Sequence, residues 1–191
     1  EWIFANMEIN ETAVLDDRGF IQVNGKEAKD FLQNIVTNDI EKVTKNSTLF
    51  SSVFTPQGKY LYEFFIIKIE DGYLLECEKK IREEIIKIFN FYKLRTKVNL
   101  VDVSEKFNVI AISLKKFRDI SKANILRGST EIYNKEIVYI DPRNQNLGAK
   151  VIVKIENIEN LIKNLNLEKI DKEKYYSESF QLGIPQINLN K

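Results

Sequence analysis

The chain contains no histidine and a single cysteine, Cys77, in 191 residues. The first absence excludes a Ser-His-Asp or Cys-His nucleophile system, an imidazole general base and any histidine-ligated zinc or iron site. The second excludes an internal disulfide, a Cys-x-x-Cys redox pair and a cysteine zinc site. Charge of one sign is also lacking: 29 Lys and Arg face 28 Asp and Glu. That balance gives no global field for nucleic acid or an anionic membrane. Long hydrophobic runs are missing too. The longest are four residues, Phe64-Phe65-Ile66-Ile67 among them, far too short to span a bilayer. Trp2-Ile3-Phe4-Ala5 is too short for the apolar region of a signal peptide and has no basic flank, so the protein reads as cytoplasmic. The chain starts at Glu1, with Met7 its only methionine, and residues 1–6 read as appended or as a remnant of processing.

What is present is the composition of a soluble globular protein, 43% hydrophobic and 30% charged. Its length suits one generous domain or two small lobes. Residues 18–23 alternate like a strand. Asn24 is placed to cap a helix, with Glu27 completing a box-like start, and Ala28, Phe31, Leu32, Ile35 and Val36 make one apolar stripe along it. Residues 48–55 and 59–69 are β-rich and joined by Pro56-Gln57-Gly58, a type I turn closing a hairpin. Tyr73–Cys77 reads as a further strand after the Asp71-Gly72 turn. A helix over 79–93 buries Ile81, Ile85, Ile88, Phe89 and Tyr92 and pairs Glu83 with Lys87 on its other face.

Strands are expected over 97–103 and 107–114, a polar helix or loop over 115–122, and a hairpin of 131–140 with 147–155. Helices are expected over 156–165 and 171–182, the second stopping at Gly183 before Pro185. Strands and helices mix without regular alternation, which argues for an α+β fold with mostly antiparallel sheets.

Neither a phosphate-binding G-x-x-x-x-G-K-[ST] loop nor a G-x-G-x-x-G fingerprint occurs. Lys115-Lys116-Phe117-Arg118, the densest basic cluster, reads as a solvated face rather than a nucleic-acid site. Cys77 stands between Glu76 and Glu78, which would raise a thiol pKa, and reads as a small core residue. Thr37-Asn38-Asp39 has a structural explanation as a helix-terminal Asx turn, and Thr55 to Lys59 as a hairpin turn. Glu63, amid Tyr60, Leu61, Tyr62, Phe64 and Phe65, needs a partner or water, or else points outward from a half-exposed strand.

Taken in order, R-G-F-I-Q-V-N-G, F-L-Q-N-I-V-T-N-D, F-T-P-Q-G-K-Y-L-Y-E-F, D-G-Y-L-L-E, F-Y-K-L-R-T-K-V, I-D-P-R-N-Q-N-L-G and L-G-I-P resemble the YgfZ-type folate-binding proteins, relatives of the glycine-cleavage T-protein, an aminomethyltransferase. The resemblance runs from about Arg18 to Pro185. It implies two interwoven α+β lobes, with lobe one about 7–47 plus 106–170 and lobe two about 48–105 plus 171–191. It further implies a tetrahydrofolate or related folate as the bound cofactor, with no metal. The function implied is accessory: support of iron–sulfur enzyme assembly or repair and, through those clients, of tRNA modification. Iron–sulfur enzymes would be partners, and neither nucleic acid nor membrane would be a direct one.

Residue by residue, Glu63 falls where T-proteins carry the carboxylate that positions folate and assists proton transfer, but is longer by one methylene than their aspartate. It is the catalytic candidate if the chain is a transferase. Asn38, Asp39, Gln57 and Lys59 match motif positions around the pocket, and Arg143 is a candidate for the folate glutamate tail. The family's K-G-C-Y-x-G-Q-E signature and its C-terminal β-barrel are not reached before Lys191, so the chain reads as a fragment or a shortened member. Ser179 stands where relatives commonly show arginine. An aminomethyltransferase and a non-catalytic interaction module with a vestigial pocket are the alternatives to the accessory role.

Overall fold

A computed structural model describes residues 7–181. The expected stop at Gly183, with Pro185 and the L-G-I-P block, lies outside the described residues. The chain divides into two units: residues up to Asp16 together with those from Asn108 form one, and Asp17–Phe107 form an inserted second. Each carries its own sheet, and the architecture is mixed α+β with mostly antiparallel pairing.

The inserted unit holds β2 (Arg18–Asn24), α1 (Ala28–Ile35), β3 (Leu49–Phe54), β4 (Leu61–Ile69), β5 (Gly72–Glu78), α2 (Arg82–Lys93) and β6 (Asn99–Asp102). Its sheet runs β3-β4-β5-β2-β6, each neighbour antiparallel. Period-two alternation sorts its side chains. Ile21, Val23, Phe64, Ile66, Tyr73, Leu75 and Cys77 face the helices, and Ala28, Phe31 and Leu32 of α1 and Ile85, Ile88 and Phe89 of α2 pack onto them. Phe89 sits edge-on to Phe31 at 5.8 Å and to Phe64 at 5.9 Å, an arrangement favoured by the ring quadrupoles. On the opposite face Arg18 donates to Glu76 at 2.9 Å, with its guanidinium 5.9 Å from the Phe65 centroid. Glu76 is fully buried, so removing either partner would break a buried ion pair at a cost of about 3–5 kcal/mol.

The other unit holds β1 (Glu11–Leu15), β7 (Phe107–Ile112, whose first residue falls at the boundary), α3 (Leu114–Ile120), β8 (Thr130–Tyr133), β9 (Glu136–Ile140), β10 (Ala149–Lys154), α4 (Ile158–Asn164), β11 (Glu168–Ile170) and α5 (Lys172–Gln181). Its sheet runs β11-β1-β7-β10-β9-β8, with β1 and β11 parallel. Ile110, Ile112, Val138, Ile140 and Val151 of the sheet pack with Phe117 of α3 and Leu161 and Ile162 of α4.

Several expectations are corrected. The lobe boundaries differ: β2 and α1 belong with 17–107, because β2 is laddered between β5 and β6. Likewise α5 belongs with β1, tied by Lys174 to Glu11 and Lys172 to Asp16. Asn24 ends β2 and caps nothing. The helix starts at Ala28, and Glu27 Oε2 instead accepts from the Lys97 backbone N–H at 2.7 Å. Lys87 pairs with Glu84 at 3.2 Å rather than with Glu83.

The expected strand 131–140 is a hairpin, reversed at Asn134-Lys135, both at positive φ. Asn tolerates that region but Lys gives no signal of it. β1 and β11 were not anticipated, being five and three residues long. Lys116, expected on a solvated face, is buried and donates from Nζ to the Leu165 carbonyl at 2.9 Å.

Burial pushes the Cys77 thiol up to about 12, against the pull of Arg18 and with reinforcement from Glu76. The native protein should therefore resist thiol reagents near pH 8 and react once unfolded; prompt labelling of the folded chain would contradict this burial. Gly148 has φ +82, and a Cβ there would lie 2.4 Å from the Ile112 carbonyl oxygen. Gly148→Ala should cost at least about 2 kcal/mol in chemical denaturation.

Candidate functional site

In the inserted unit the site is built by a hairpin. The Gly58 N–H donates to the Thr55 carbonyl at 2.7 Å, and Thr55 Oγ1 accepts from the backbone N–H groups of Lys59 and Tyr60, both at 3.2 Å. Gly58, at φ +68, takes the left-handed step after the type I turn. This turn fixes the pairing Phe54 to Leu61, hence Ser52 to Glu63 and Phe50 to Phe65. These pairs lie on the face opposite the helices. There Thr37 Oγ1 and Ser52 Oγ share a hydrogen bond at 2.7 Å, and the Thr37 N–H donates to the Ser52 carbonyl at 2.9 Å. Beside them Phe54 is 49% and Leu61 44% exposed. The result is an apolar shelf ending in two hydroxyls and a carboxylate.

Glu63 is half-buried and has no hydrogen-bond or ion-pair partner among the described residues. A carboxylate in that position accepts a hydrogen bond from whatever N–H or O–H group reaches the shelf. Asn38 and Asp39 adjoin through Thr37, but their polar atoms already serve the backbone. Asn38 Nδ2 donates to the Phe50 carbonyl at 3.2 Å, its Oδ1 accepts from the Asp39 N–H at 2.8 Å, and Asp39 Oδ1 accepts from the Glu41 N–H at 3.0 Å. Gln57 and Lys59 are exposed at the hairpin end, the Lys59 ammonium 5.3 Å from the Tyr60 ring centroid. Four residues of extended chain, about 13 Å, separate Lys59 from Glu63, so only an elongated ligand meets both.

Arg143 lies in the other unit. Its Nε and Nη2 donate to the Asp141 carboxylate at 3.0 and 2.8 Å, and its backbone N–H at 2.9 Å. Burial would raise the Asp141 pKa, but the charge and hydrogen bonds of Arg143, with Lys150 adding, hold it below its ordinary value. The guanidinium face offered for a carboxylate tail is thus already turned onto an internal carboxylate. The same loop goes on to line a cavity of about 400 Å³ with Asn146, Leu147 and Gly148. Lys115 and Arg118 of α3 and Tyr175, Glu178 and Ser179 of α5 are among the other residues that line it. Burial raises the Glu178 pKa, with Lys174 opposing and Glu11 reinforcing. Mixed apolar, cationic and acidic lining of this size suits a small polar organic molecule.

Thus Asn38 and Asp39 are tied to β3, the strand that pairs with Glu63, Gln57 and Lys59 share its hairpin at a distance, and Arg143 stands in a separate unit. Ser52, Phe54 and Leu61 were not singled out from the sequence. The signal was available, because a four-residue turn over Thr55–Gly58 dictates which side chains share the face of Glu63. The cavity residues of α5 had no such signal. Among the described residues no group of His, Cys, Asp or Glu side chains is arranged to hold a metal. None of their helices is long and apolar enough to cross a membrane.

Residues 10–150 match the family model described as the GCVT N-terminal domain. An iron–sulfur cluster assembly factor IBA57 homolog, mitochondrial, of Dictyostelium discoideum is 25% identical over 202 residues, covering 90% of this chain and 48% of that protein. The protein of the same description from Mycosarcoma maydis is 30% identical over 112 residues, 51% of this chain and 28% of its own length. The chain therefore spans about half of the first relative and less of the second. Among solved structures, the glycine cleavage system aminomethyltransferase T of Bartonella henselae superposes with a TM-score of 0.77 at 10% identity, over 95% of this chain and 53% of that one. A heterotetrameric sarcosine oxidase chain of Corynebacterium sp. U-96 superposes with a TM-score of 0.56 at 8% identity, over 92% of this chain and 89% of that one. At such identities the likeness is one of fold.

The Asp141–Arg143 pair yields a pH test. Because the folded pKa of Asp141 is lowered from 3.8, its stabilisation is present at neutral pH and lost as pH falls through that lowered value. Asp141→Asn should cost about 3 kcal/mol at neutral pH, and the gap should close in strong acid. Denaturation curves for the two proteins that keep a constant separation down to acid pH would show that the pair does not act this way.

Proposed function

We propose, from the premise that the chain belongs to the GCVT N-terminal domain family, that it is a folate-binding accessory protein supporting the assembly or repair of iron–sulfur enzymes and, through those clients, tRNA modification. The observation carrying the folate reading is the half-buried, unpartnered Glu63 beside Ser52 and Thr37, next to exposed Phe54 and Leu61. A pterin is flat and presents several N–H donors along one edge. Its ring face suits Phe54 and Leu61, and a donor edge suits the carboxylate. The residues present fit such a group. When bound, tetrahydrofolate would supply one-carbon carrier chemistry; this chain's side chains would hold and orient it. Gln57 and Lys59 would meet the more distal part of an elongated ligand, with Asn38 and Asp39 shaping the floor through the backbone.

The iron–sulfur role is supported by the names of the two relatives. Both are mitochondrial by name; the cytosol remains the compartment proposed here. An aminomethyltransferase is the second reading, favoured by the fold likeness and by a carboxylate at Glu63. It would require turnover with an aminomethylated carrier and tetrahydrofolate that Glu63→Gln abolishes, whereas the accessory reading requires binding alone.

Calorimetric titration with folinic acid should show binding to this chain, weakened about tenfold by Glu63→Gln through loss of a charge-assisted hydrogen bond. Absence of both heat and thermal shift up to millimolar ligand would end the folate reading.

A further inference from the structure

The end of α2 and the loop behind it carry a second exposed apolar group besides the folate shelf. Phe91 is 60% exposed and Leu94 84% exposed. Leu94 holds φ +43 at the position where a helix usually ends in glycine. A branched side chain there is both strained and unburied, so nothing in the fold itself explains the leucine. Phe91 is held in place: its ring meets Tyr92 edge-on at 5.5 Å, and the Tyr92 hydroxyl donates to the Phe54 carbonyl at 3.3 Å.

Lys93 and Arg95 flank Leu94 in the chain. The Thr96 N–H donates to the Lys93 carbonyl at 2.8 Å, and the Glu27 N–H to the Lys97 carbonyl at 3.2 Å, so the 93–97 turn is pinned to the loop at Gly25–Glu27. Gly25 permits the approach, since a Cβ there would lie 2.7 Å from the Lys97 carbonyl oxygen. The two pinned segments, residues 25–27 and 93–97, carry Lys26, Lys93, Arg95 and Lys97 and one carboxylate, Glu27, whose Oε2 is taken by a backbone N–H. None of the four cations has an ion-pair partner among the described residues. In a chain of net charge +1 this is a local excess.

We propose that this surface docks an acidic segment of a partner protein, an apolar side chain of that segment seating against Phe91 and Leu94 while its carboxylates meet Lys26, Lys93, Arg95 and Lys97. Charge complementarity selects an acidic occupant and the exposed pair demands an apolar anchor, the combination typical of interface centres with polar rims. A nucleic acid would find in Leu94, the most exposed side chain of the patch, no ring on which a base could stack.

The test is fluorescence anisotropy of a short labelled peptide with Leu and Phe between Asp and Glu residues, titrated with the whole chain. A peptide of equal charge carrying Ala for Leu and Phe and a single-stranded RNA of equal length serve as comparisons. The acidic-apolar peptide should bind best, and both Lys93→Glu with Arg95→Glu and Phe91→Ser with Leu94→Gly should weaken it about tenfold. Leu94→Gly alone relieves the positive φ and should raise the thermal midpoint, so weaker binding by that variant reports the surface and not the fold. Absent binding, equal binding of the Ala peptide or the RNA, or indifference to the substitutions would overturn the proposal.

Discussion

The hairpin between β3 and β4 is held in register by the hydrogen bonds that Thr55 makes through its carbonyl and its hydroxyl. The rest of the inserted unit depends on that register. With Phe54 opposite Leu61, the even residues of β4 face the helices and Glu63 faces away from them. A slip by one residue would drive Glu63 in against Phe31 and Phe89 and bring Tyr62 and Phe64 out. Burying that carboxylate unpaired would cost more than an unstable hairpin could withstand. The turn therefore decides the core and the candidate site together: the same alternation that packs Phe64 and Ile66 onto α1 and α2 places Ser52 and Glu63 side by side on the other face.

The other unit solves a similar problem by charge. Its 141–148 loop is irregular and follows β9, so its backbone polar groups need partners. Asp141 accepts from the Arg143 backbone and side chain, and Asn144 accepts from the Asn146 N–H. Gly148 then lets the chain pass close to Ile112 before β10 begins. The Arg143 guanidinium, attractive in isolation as an anion-binding group, is used to hold the loop that lines the cavity. Its contribution to that cavity is indirect, through the position of Asn146 and Leu147.

Local signals gave much of this fold. The apolar stripe of α1, the buried face of α2, the Pro56-Gln57-Gly58 turn and Cys77 as a core residue all follow from spacing or turn chemistry and appear as expected. The errors share a cause, which is that distant partners overrode local preference. Glu27 bonds Lys97, seventy positions along the chain, rather than closing a capping box. Lys116 reaches the Leu165 carbonyl, forty-nine positions along, and so leaves the solvated face assigned to it. β11 is a strand only because β1 offers it an edge.

By itself the sequence determined the class of chemistry: without histidine, and with one cysteine in an apolar strand, only carboxylates, amides, hydroxyls, cations or a bound organic group remain. It also determined the secondary elements whose period is internal to a segment. The tertiary structure alone decided that Glu63 lacks a partner among the described residues, that Arg143 has one, and that β2 and α1 belong with the inserted unit. Those outcomes depend on pairings between residues far apart in the chain. Such pairings are selected by hydrogen-bond satisfaction and burial across the whole unit, and no short stretch of residues encodes them.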